Sequence, residues 1–422
     1  MAYRADALAW LASEYGQALL EAARALPADR LTRLTRLRRI APSNSIATFA
    51  VELLELRARA RAKFAGADSM FFTPEGLEQS TGERIAAYRA SRFPLDYGVL
   101  DACCGIGGDA RALGFHHTVL AVDLNPAAAL CAKLNMRGDF TARGSVKSLC
   151  ADVTSLPLQR LYDRGLRSAF FDPSRRGEAA DGGRKRLRSA EDYQPPLNWT
   201  DLLREHFSSV AVKVSPAIDD DAVRFQDVRV EFISDRGECK EAMLWFGEAA
   251  ETLELPSNSQ EPYFATVLRP DAAPATLGPT RCPEIQVSEI GEYVYEPDPA
   301  IIRAHLVPQL AAELGASWIE PGVPYLTASR AISTPFATAF RVVEWLPYHV
   351  KEIQRRLRAL GAHLYAVKKR GVALEPAAVQ KALAPGGDRE LVLILMRRAE
   401  RVIAILCERI GTFSESANDK HG

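Results

Sequence analysis

Net charge is the first thing this chain lacks. Its 422 residues carry 53 Lys and Arg against 53 Asp and Glu. No whole-chain field draws it to a polyanion, and any nucleic-acid footprint has to be local. Long apolar runs are missing too: none reaches the roughly 18 residues that a membrane-crossing helix needs. The first ten residues, MAYRADALAW, mix charges with apolar side chains and lack the continuous apolar segment of a signal peptide. Cysteine is sparse, seven in all, and its spacing fits no metal-ligand pattern. Cys103 and Cys104 are neighbours, which suits neither a C-x-x-C pair nor an easy disulfide. No metal is expected, and a reducing cytoplasm is the simplest setting.

What is present suffices for a large core: 47% of the residues are hydrophobic and 25% charged. The length predicts about two or three domains. Residues 1–68 read as a helical region, because ALAWLASEYGQALLEAARAL and TFAVELLELRARARAKF repeat apolar residues at three- and four-residue spacing. Between them RLTRLTRLRR is a solvated or a phosphate-contacting helix face. From 69 to 270, the short apolar runs YGVLDAC, TVLAVDL, SLCADV, SAFFDP, VAVKVSP, VRVEFISD and AMLWFG alternate with helical patterns. They lack period-two alternation, as strands buried on both faces do, which predicts an α/β domain with a largely parallel sheet. Its ligand belongs at the carboxyl ends of the strands. Residues 271–410 read as an α+β module, with helices at PAIIRAHLVPQLAAELG and VKEIQRRLRALG and strands at HLYAVKK and RELVLILMRR. The tail, 411–422, reads as disordered.

The chemistry concentrates in VLDACCGIGGDARAL. A strand ends on Asp101, small residues follow, and Gly105, Gly107 and Gly108 lead into a helix. Such a turn lets a ligand approach the backbone. Read as G-x-G-x-x-A, it also fits a dinucleotide fingerprint, so an oxidoreductase has to be weighed. The acids decide against that. Asp123 ends the next strand, where a carboxylate meets ribose hydroxyls. Asp152 follows the third, and Asp172 ends the fourth. Asp101 has no role in a dinucleotide fingerprint, but it has one facing the amino group of S-adenosylmethionine.

The set DACCGIGGD, AVDLNP, CADV and FFDPSRR resembles the class I S-adenosylmethionine-dependent methyltransferases. With FFTPEGLEQSTGERIAAYRASRF, GECKEAMLWFG, YEPDPAIIRAHL and VKKRGVALEP, the chain resembles the bacterial methyltransferases that carry a THUMP-like C-terminal domain. The resemblance implies a Rossmann-like sheet, an N-terminal helical region and a C-terminal α+β THUMP-like module. It implies S-adenosylmethionine as cofactor, held by Gln79, Thr81, Asp101, Ala102, Cys103, Gly105, Gly107, Asp123, Leu124, Asp152, Val153 and Asp172. The stretch containing Gln79 and Thr81 would cover the methionine pocket, as in the faintly similar cap-guanine methyltransferases.

Candidate catalytic residues are Asp172, Arg175 and Lys213. Amino-methylating relatives follow the Asp with two prolines and an aromatic ring; here Ser174 and Arg175 replace the second proline and the ring. The uracil-C5 methyltransferases carry D-P-P-R-x-G at this strand, but the cysteine that attacks the pyrimidine is Ser215 here, before Pro216. Without that nucleophile the covalent route to carbon is closed, and nitrogen or oxygen is left as acceptor. THUMP domains imply an RNA partner. Candidate RNA contacts are Arg175, Arg176, Arg184, Lys185, Arg186 and Arg188, with Lys368, Lys369 and Arg370 in the C-terminal module. Tyr193 and Trp199 are packing residues or base-stacking platforms. A small-molecule or protein acceptor, or an RNA binder that keeps the cofactor without turnover, are the competing readings.

Overall fold

The computed structural model describes residues 2–136, 144–175, 193–223, 225–256, 261–383 and 386–410. The expected tail 411–422 lies outside the described residues. So do Arg176, Arg184, Lys185, Arg186 and Arg188. The chain divides into two compact units, Met1–Glu231 with Glu241–Glu254, and Phe232–Lys240 with Leu255–Gly422.

The first unit begins with four helices, α1 (Ala2–Leu11), α2 (Glu14–Arg24), α3 (Arg30–Leu37) and α4 (Asn44–Ala60). Ser13, Asp29 and Ser43 cap the last three by accepting from backbone N–H groups of the first turn. Each such cap contributes about 1 kcal/mol. Leu19, Leu20, Leu37, Val51 and Leu54 form the shared core that the helical periodicity predicts. Two short helices, α5 (Pro74–Gln79) and α6 (Glu83–Ala90), then lead into the sheet.

That sheet contains β1 (Gly98–Ala102), β2 (Thr118–Asp123), β3 (Ser145–Cys150), β4 (Leu166–Phe171), β5 (Ser209–Val214), β6 (Arg229–Asp235) and β7 (Glu238–Gly247). Their spatial order is β3-β2-β1-β4-β5-β7-β6. The first five run parallel and β7 runs antiparallel to β5. Helices α7 (Gly108–Leu113), α8 (Pro126–Asn135), α9 (Leu158–Asp163) and α10 (Trp199–His206) complete the α/β alternation. β1, β4 and β5 are buried along nearly their whole length, as their unbroken apolar runs predict. β3 departs from that pattern: it is the edge strand, and four of its six residues are exposed. β6 and β7 join through Arg236 and Gly237, both at positive φ (54° and 77°), the hairpin turn whose twist matches its strands.

The second unit adds a hairpin, β8 (Tyr263–Arg269) and β9 (Ala272–Leu277), and a seven-stranded sheet. The sheet is built from β10 (Tyr293–Pro297), β11 (Ser317–Glu320), β12 (Val323–Ala328), β13 (Ala337–Pro347), β14 (Ala362–Arg370), β15 (Arg389–Arg398) and β16 (Arg401–Arg409). The order is β11-β12-β10-β13-β16-β15-β14. The pair β14–β15 is parallel. Helix Val350–Ala359 places Ile353 and Leu357 in the core beside Leu391, Leu393 and Leu406. The single helix expected at PAIIRAHLVPQLAAELG is two, Pro299–Arg303 and Val307–Leu314. His305 at φ 58° breaks it, and Pro308 starts the second piece.

Candidate methyltransferase active site

Strand register builds the site. Ala102 of β1 pairs with Val122 of β2 and with Phe171 of β4, and Phe171 pairs with Val212 of β5. The next residue of each chain segment therefore forms one row at the carboxyl edge: Cys103, Asp123, Asp172 and Lys213. Ala102 anchors the row, its carbonyl accepting from the Asp172 N–H at 3.1 Å. Adjacent parallel strands that all end here explain why charged residues from distant sequence converge at the edge that Brändén's rule assigns to ligands.

The loop after β1 turns through three positive φ values, 68° at Cys103, 54° at Gly105 and 82° at Gly107. Glycine suits two of these positions. At Gly107 a Cβ would lie 3.0 Å from Ala132 Cα and Cβ and 2.6 Å from the movable Met136 Cε, so the left-handed φ and the tight approach to α8 together favour glycine. At Gly105 a Cβ would meet no atom of the described residues within 4 Å. The backbone there borders open space. Asp123 fixes that loop, accepting from Gly105 N–H at 2.9 Å through Oδ2 and from Asn125 N–H at 2.7 Å through Oδ1. Burial raises its pKa, and the two backbone donors oppose that rise. Next to it Leu124 is 66% exposed, although large and apolar.

Asp101 is fully buried, and neither carboxylate oxygen has a hydrogen-bond partner among the described residues. Burial, followed by the nearby Asp109 and Asp172 carboxylates, holds its pKa well above the ordinary carboxylate range, against the pull of Arg89. A buried acceptor without a donor is costly. A cationic ammonium group is the ligand chemistry that would satisfy it, so the donor set fits S-adenosylmethionine. Asp152 lies beyond the end of β3, exposed. Its Oδ1 accepts from the N–H (2.9 Å) and hydroxyl (2.7 Å) of Thr154, which lower its pKa. Val153 behind it is buried.

On the other side of the row, Lys213 Nζ donates to Asp172 Oδ2 at 2.6 Å and to Thr81 Oγ1 at 3.0 Å. Burial alone would lower the lysine pKa. Asp172 outweighs it and the net shift is upward, so the ammonium stays charged. Thr81 is buried, whereas Gln79 is exposed at the end of α5. Arg175 stands in a two-residue ribbon, Ser174–Arg175 paired with Tyr193–Gln194. Tyr193 is a packing residue: its ring is buried and its hydroxyl accepts from Ser215 N–H at 2.9 Å. Trp199 packs edge-on against Phe171 at 4.9 Å. In the second unit Lys368 pairs with Glu296 (2.5 Å), Lys369 with Glu375 (3.0 Å), and Arg370 lies 3.9 Å from Glu296.

Sequence reading missed the groups beneath this row. Arg89 is 2% exposed, pairs with Asp109 and with Glu241 (3.3 Å), and lies over the Phe170 ring at 4.8 Å. Burial pulls its pKa down, but Asp109 and Glu241 more than compensate. Asn135 joins two segments, donating to the carbonyls of Phe71 (3.0 Å) and Ile106 (2.9 Å) and accepting from Phe71 N–H at 2.7 Å. That bond set holds the FFT stretch against the glycine loop. The available signals were small: Glu241 directly precedes the apolar run AMLWFG, and Arg89 sits on the apolar side of a short helix.

The parallel order with a final antiparallel strand, the glycine loop and the acidic row define a class I methyltransferase. An uncharacterized S-adenosylmethionine-dependent methyltransferase of Mycobacterium tuberculosis is 31% identical over 366 residues, which is 83% of this chain and 93% of that protein. The crystal structure of a presumed methyltransferase from Porphyromonas gingivalis superposes with a TM-score of 0.73 at 20% identity, covering 93% of this chain and 97% of that one. Residues 337–409 match the THUMP domain-like family, and residues 4–60 match a domain of unknown function. This chain belongs to the S-adenosylmethionine-dependent methyltransferases, in the bacterial group with a THUMP-like C-terminal domain, and its cofactor is S-adenosylmethionine. No helix among the described residues is long and apolar enough to cross a membrane.

Proposed function

We propose that this enzyme methylates a nitrogen of an RNA base, in tRNA or rRNA, in the cytoplasm. The observation that carries the reading is the Asp172–Lys213 pair on the acceptor side of the row, in a chain whose C-terminal unit matches a THUMP-like domain. Ser215 occupies the position of the missing nucleophile, which argues against carbon as the acceptor.

Bound S-adenosylmethionine supplies a methyl group on a positively charged sulfur. Asp101 takes the amino group of its methionine part, and Asp123 the ribose hydroxyls. Asp152 accepts from the adenine amino group, with Leu124 and Val153 flanking the ring. Ala102, Cys103, Gly105 and Gly107 present backbone, and Gln79 and Thr81 cover the methionine side. Asp172 orients the acceptor, which matters because methyl transfer depends chiefly on alignment and desolvation. Arg175, Arg176, Arg184, Lys185, Arg186 and Arg188 contact phosphates of the RNA. A contribution from Lys368, Lys369 and Arg370 requires the RNA to compete with the carboxylates they already face. The boundaries at residues 68, 270 and 410 belong to the same proposal.

The experiment is transfer of labelled methyl from S-adenosylmethionine to total RNA of a strain lacking this protein, with Asp172→Ala as control. Label that requires the intact protein supports the reading. Absence of label, with cofactor binding confirmed, returns the acceptor to a small molecule or a protein, or the chain to a non-catalytic binder.

A further inference from the structure

Lys213 and Asp172 leave one donor and one acceptor side by side. The ammonium has three N–H groups, of which Asp172 Oδ2 and Thr81 Oγ1 take two. The remaining donor, and Asp172 Oδ1, have no hydrogen-bond partner among the described residues. Both groups are partly accessible, with side-chain exposures of 14% for Lys213 and 27% for Asp172. Together they complement a planar edge that carries an N–H beside a C=O.

We propose that the acceptor is a lactam ring nitrogen, N1 of guanine or N3 of uracil, with Asp172 accepting the ring proton and Lys213 donating to the neighbouring carbonyl oxygen. The inference rests on the RNA-base reading above and narrows it. An exocyclic amine, as on adenine or cytosine, also shows a donor beside an acceptor, but its charge changes the opposite way. A neutral amine becomes cationic as the new bond forms, and a fixed ammonium 2.6 Å from the orienting carboxylate opposes that. A lactam nitrogen becomes nucleophilic only as its proton leaves, which builds negative charge on the carbonyl oxygen. A preformed ammonium stabilises that charge without reorganisation.

The electron balance is direct. The ring N–H bond breaks and its proton passes to Asp172 Oδ1. The nitrogen's electron pair forms the bond to the methyl carbon. The pair of the broken sulfur–carbon bond stays on sulfur, leaving a neutral thioether. Asp172 then loses its proton to solvent, Lys213 stays protonated throughout, and no oxidant or reductant takes part.

The test uses the full chain. RNA from the deletion strain is methylated, digested to nucleosides and analysed by mass spectrometry. The expected mark is on N1 of guanosine or N3 of uridine, exceeding marks on adenosine and cytidine by about 100-fold or more, as for sites built to hydrogen-bond both edge groups. A mark on any other atom, guanosine N7, an exocyclic nitrogen, a ribose hydroxyl or any atom of adenosine or cytidine, overturns the lactam assignment while sparing RNA methylation. No mark on RNA overturns both. A second readout needs no turnover: saturation-transfer NMR of GMP, UMP, AMP and CMP with the cofactor-free protein. GMP and UMP should bind about 10-fold tighter than the other two, and Lys213→Met should erase the difference. Equal binding of all four by the parent protein overturns the proposal. Circular dichroism of the variant separates lost recognition from lost folding.

Discussion

Arg89 Nε lies 3.3 Å from Glu241 Oε1, and the two side chains are only 2% and 3% exposed. Arg89 also pairs with Asp109, at the start of the helix behind the glycine loop. One buried guanidinium therefore ties α6, the loop and β7 together beneath the cofactor side of the sheet. Removing one partner of a buried ion pair leaves an uncompensated charge, which costs about 3–5 kcal/mol. Arg89→Met should lower the melting temperature by well over the scatter of surface substitutions, measured by differential scanning calorimetry. Arg89→Lys, which keeps the charge but loses the fork geometry, should fall between the two.

Asp101 sets a pH dependence. It is buried, faces Asp109, Asp172 and Asp123 on one side of the ledger of charge and Arg89 on the other, and its pKa is raised in the folded protein. A carboxyl raised on folding binds its proton more tightly in the folded state. Its stabilising contribution is full below its unfolded value, about 4, and is lost as pH rises through the higher folded value. Asp101→Asn should therefore raise the melting temperature at neutral pH, and the gain should shrink towards pH 4. Melting temperature against pH for the two proteins checks this. A constant offset across the range would remove the titration from the account.

How much of this was legible beforehand follows from the kind of interaction involved. The acids Asp101, Asp123, Asp152 and Asp172 were readable because each stands at the end of an apolar run, where a local pattern marks a strand terminus. The alignment of Asp123 and Asp172 with Lys213 in one row depends on strand register, which hydrophobic runs leave open. Arg89, Glu241 and Asn135 were not legible, because their partners, from Asp109 at 20 residues from Arg89 to Glu241 at 152, are distant in sequence and nothing local distinguishes a buried charge from an exposed one. In the C-terminal unit HLYAVKK and RELVLILMRR read as strands, while β10 to β13 and β16 were missed; in the first four the apolar residues are short runs or are interrupted by charges and prolines.

Two glycines of the same loop should fail in different ways. Gly107→Ala forces a Cβ to 2.6 Å from Met136 Cε at φ 82°, and should cost about 1–3 kcal/mol of stability. Gly105→Ala, at φ 54° with space around the built Cβ, should cost about 1–2 kcal/mol from backbone strain alone. Its larger effect should be on cofactor affinity, since the methyl group would enter the space that the loop borders. Paired calorimetry, thermal and binding, separates the two. Equal loss of affinity per unit of lost stability would assign both glycines to packing.

Asp123→Ala and Asp172→Ala should separate binding from chemistry. Asp123 already spends one hydrogen bond on Gly105 N–H and one on Asn125 N–H. Its loss frees the loop and removes the ribose acceptor together. Charged hydrogen bonds of this kind contribute about 1.5–3 kcal/mol each, so S-adenosylmethionine affinity should fall by about 100-fold or more. Asp172 bonds through its carboxylate to Lys213 alone among the described residues, and its removal leaves the glycine loop untouched. Cofactor affinity should change by less than about 3-fold while methyl transfer stops. Retained transfer by Asp172→Ala would take the acceptor role from this carboxylate. A matching loss of cofactor affinity would move Asp172 to the cofactor side of the row.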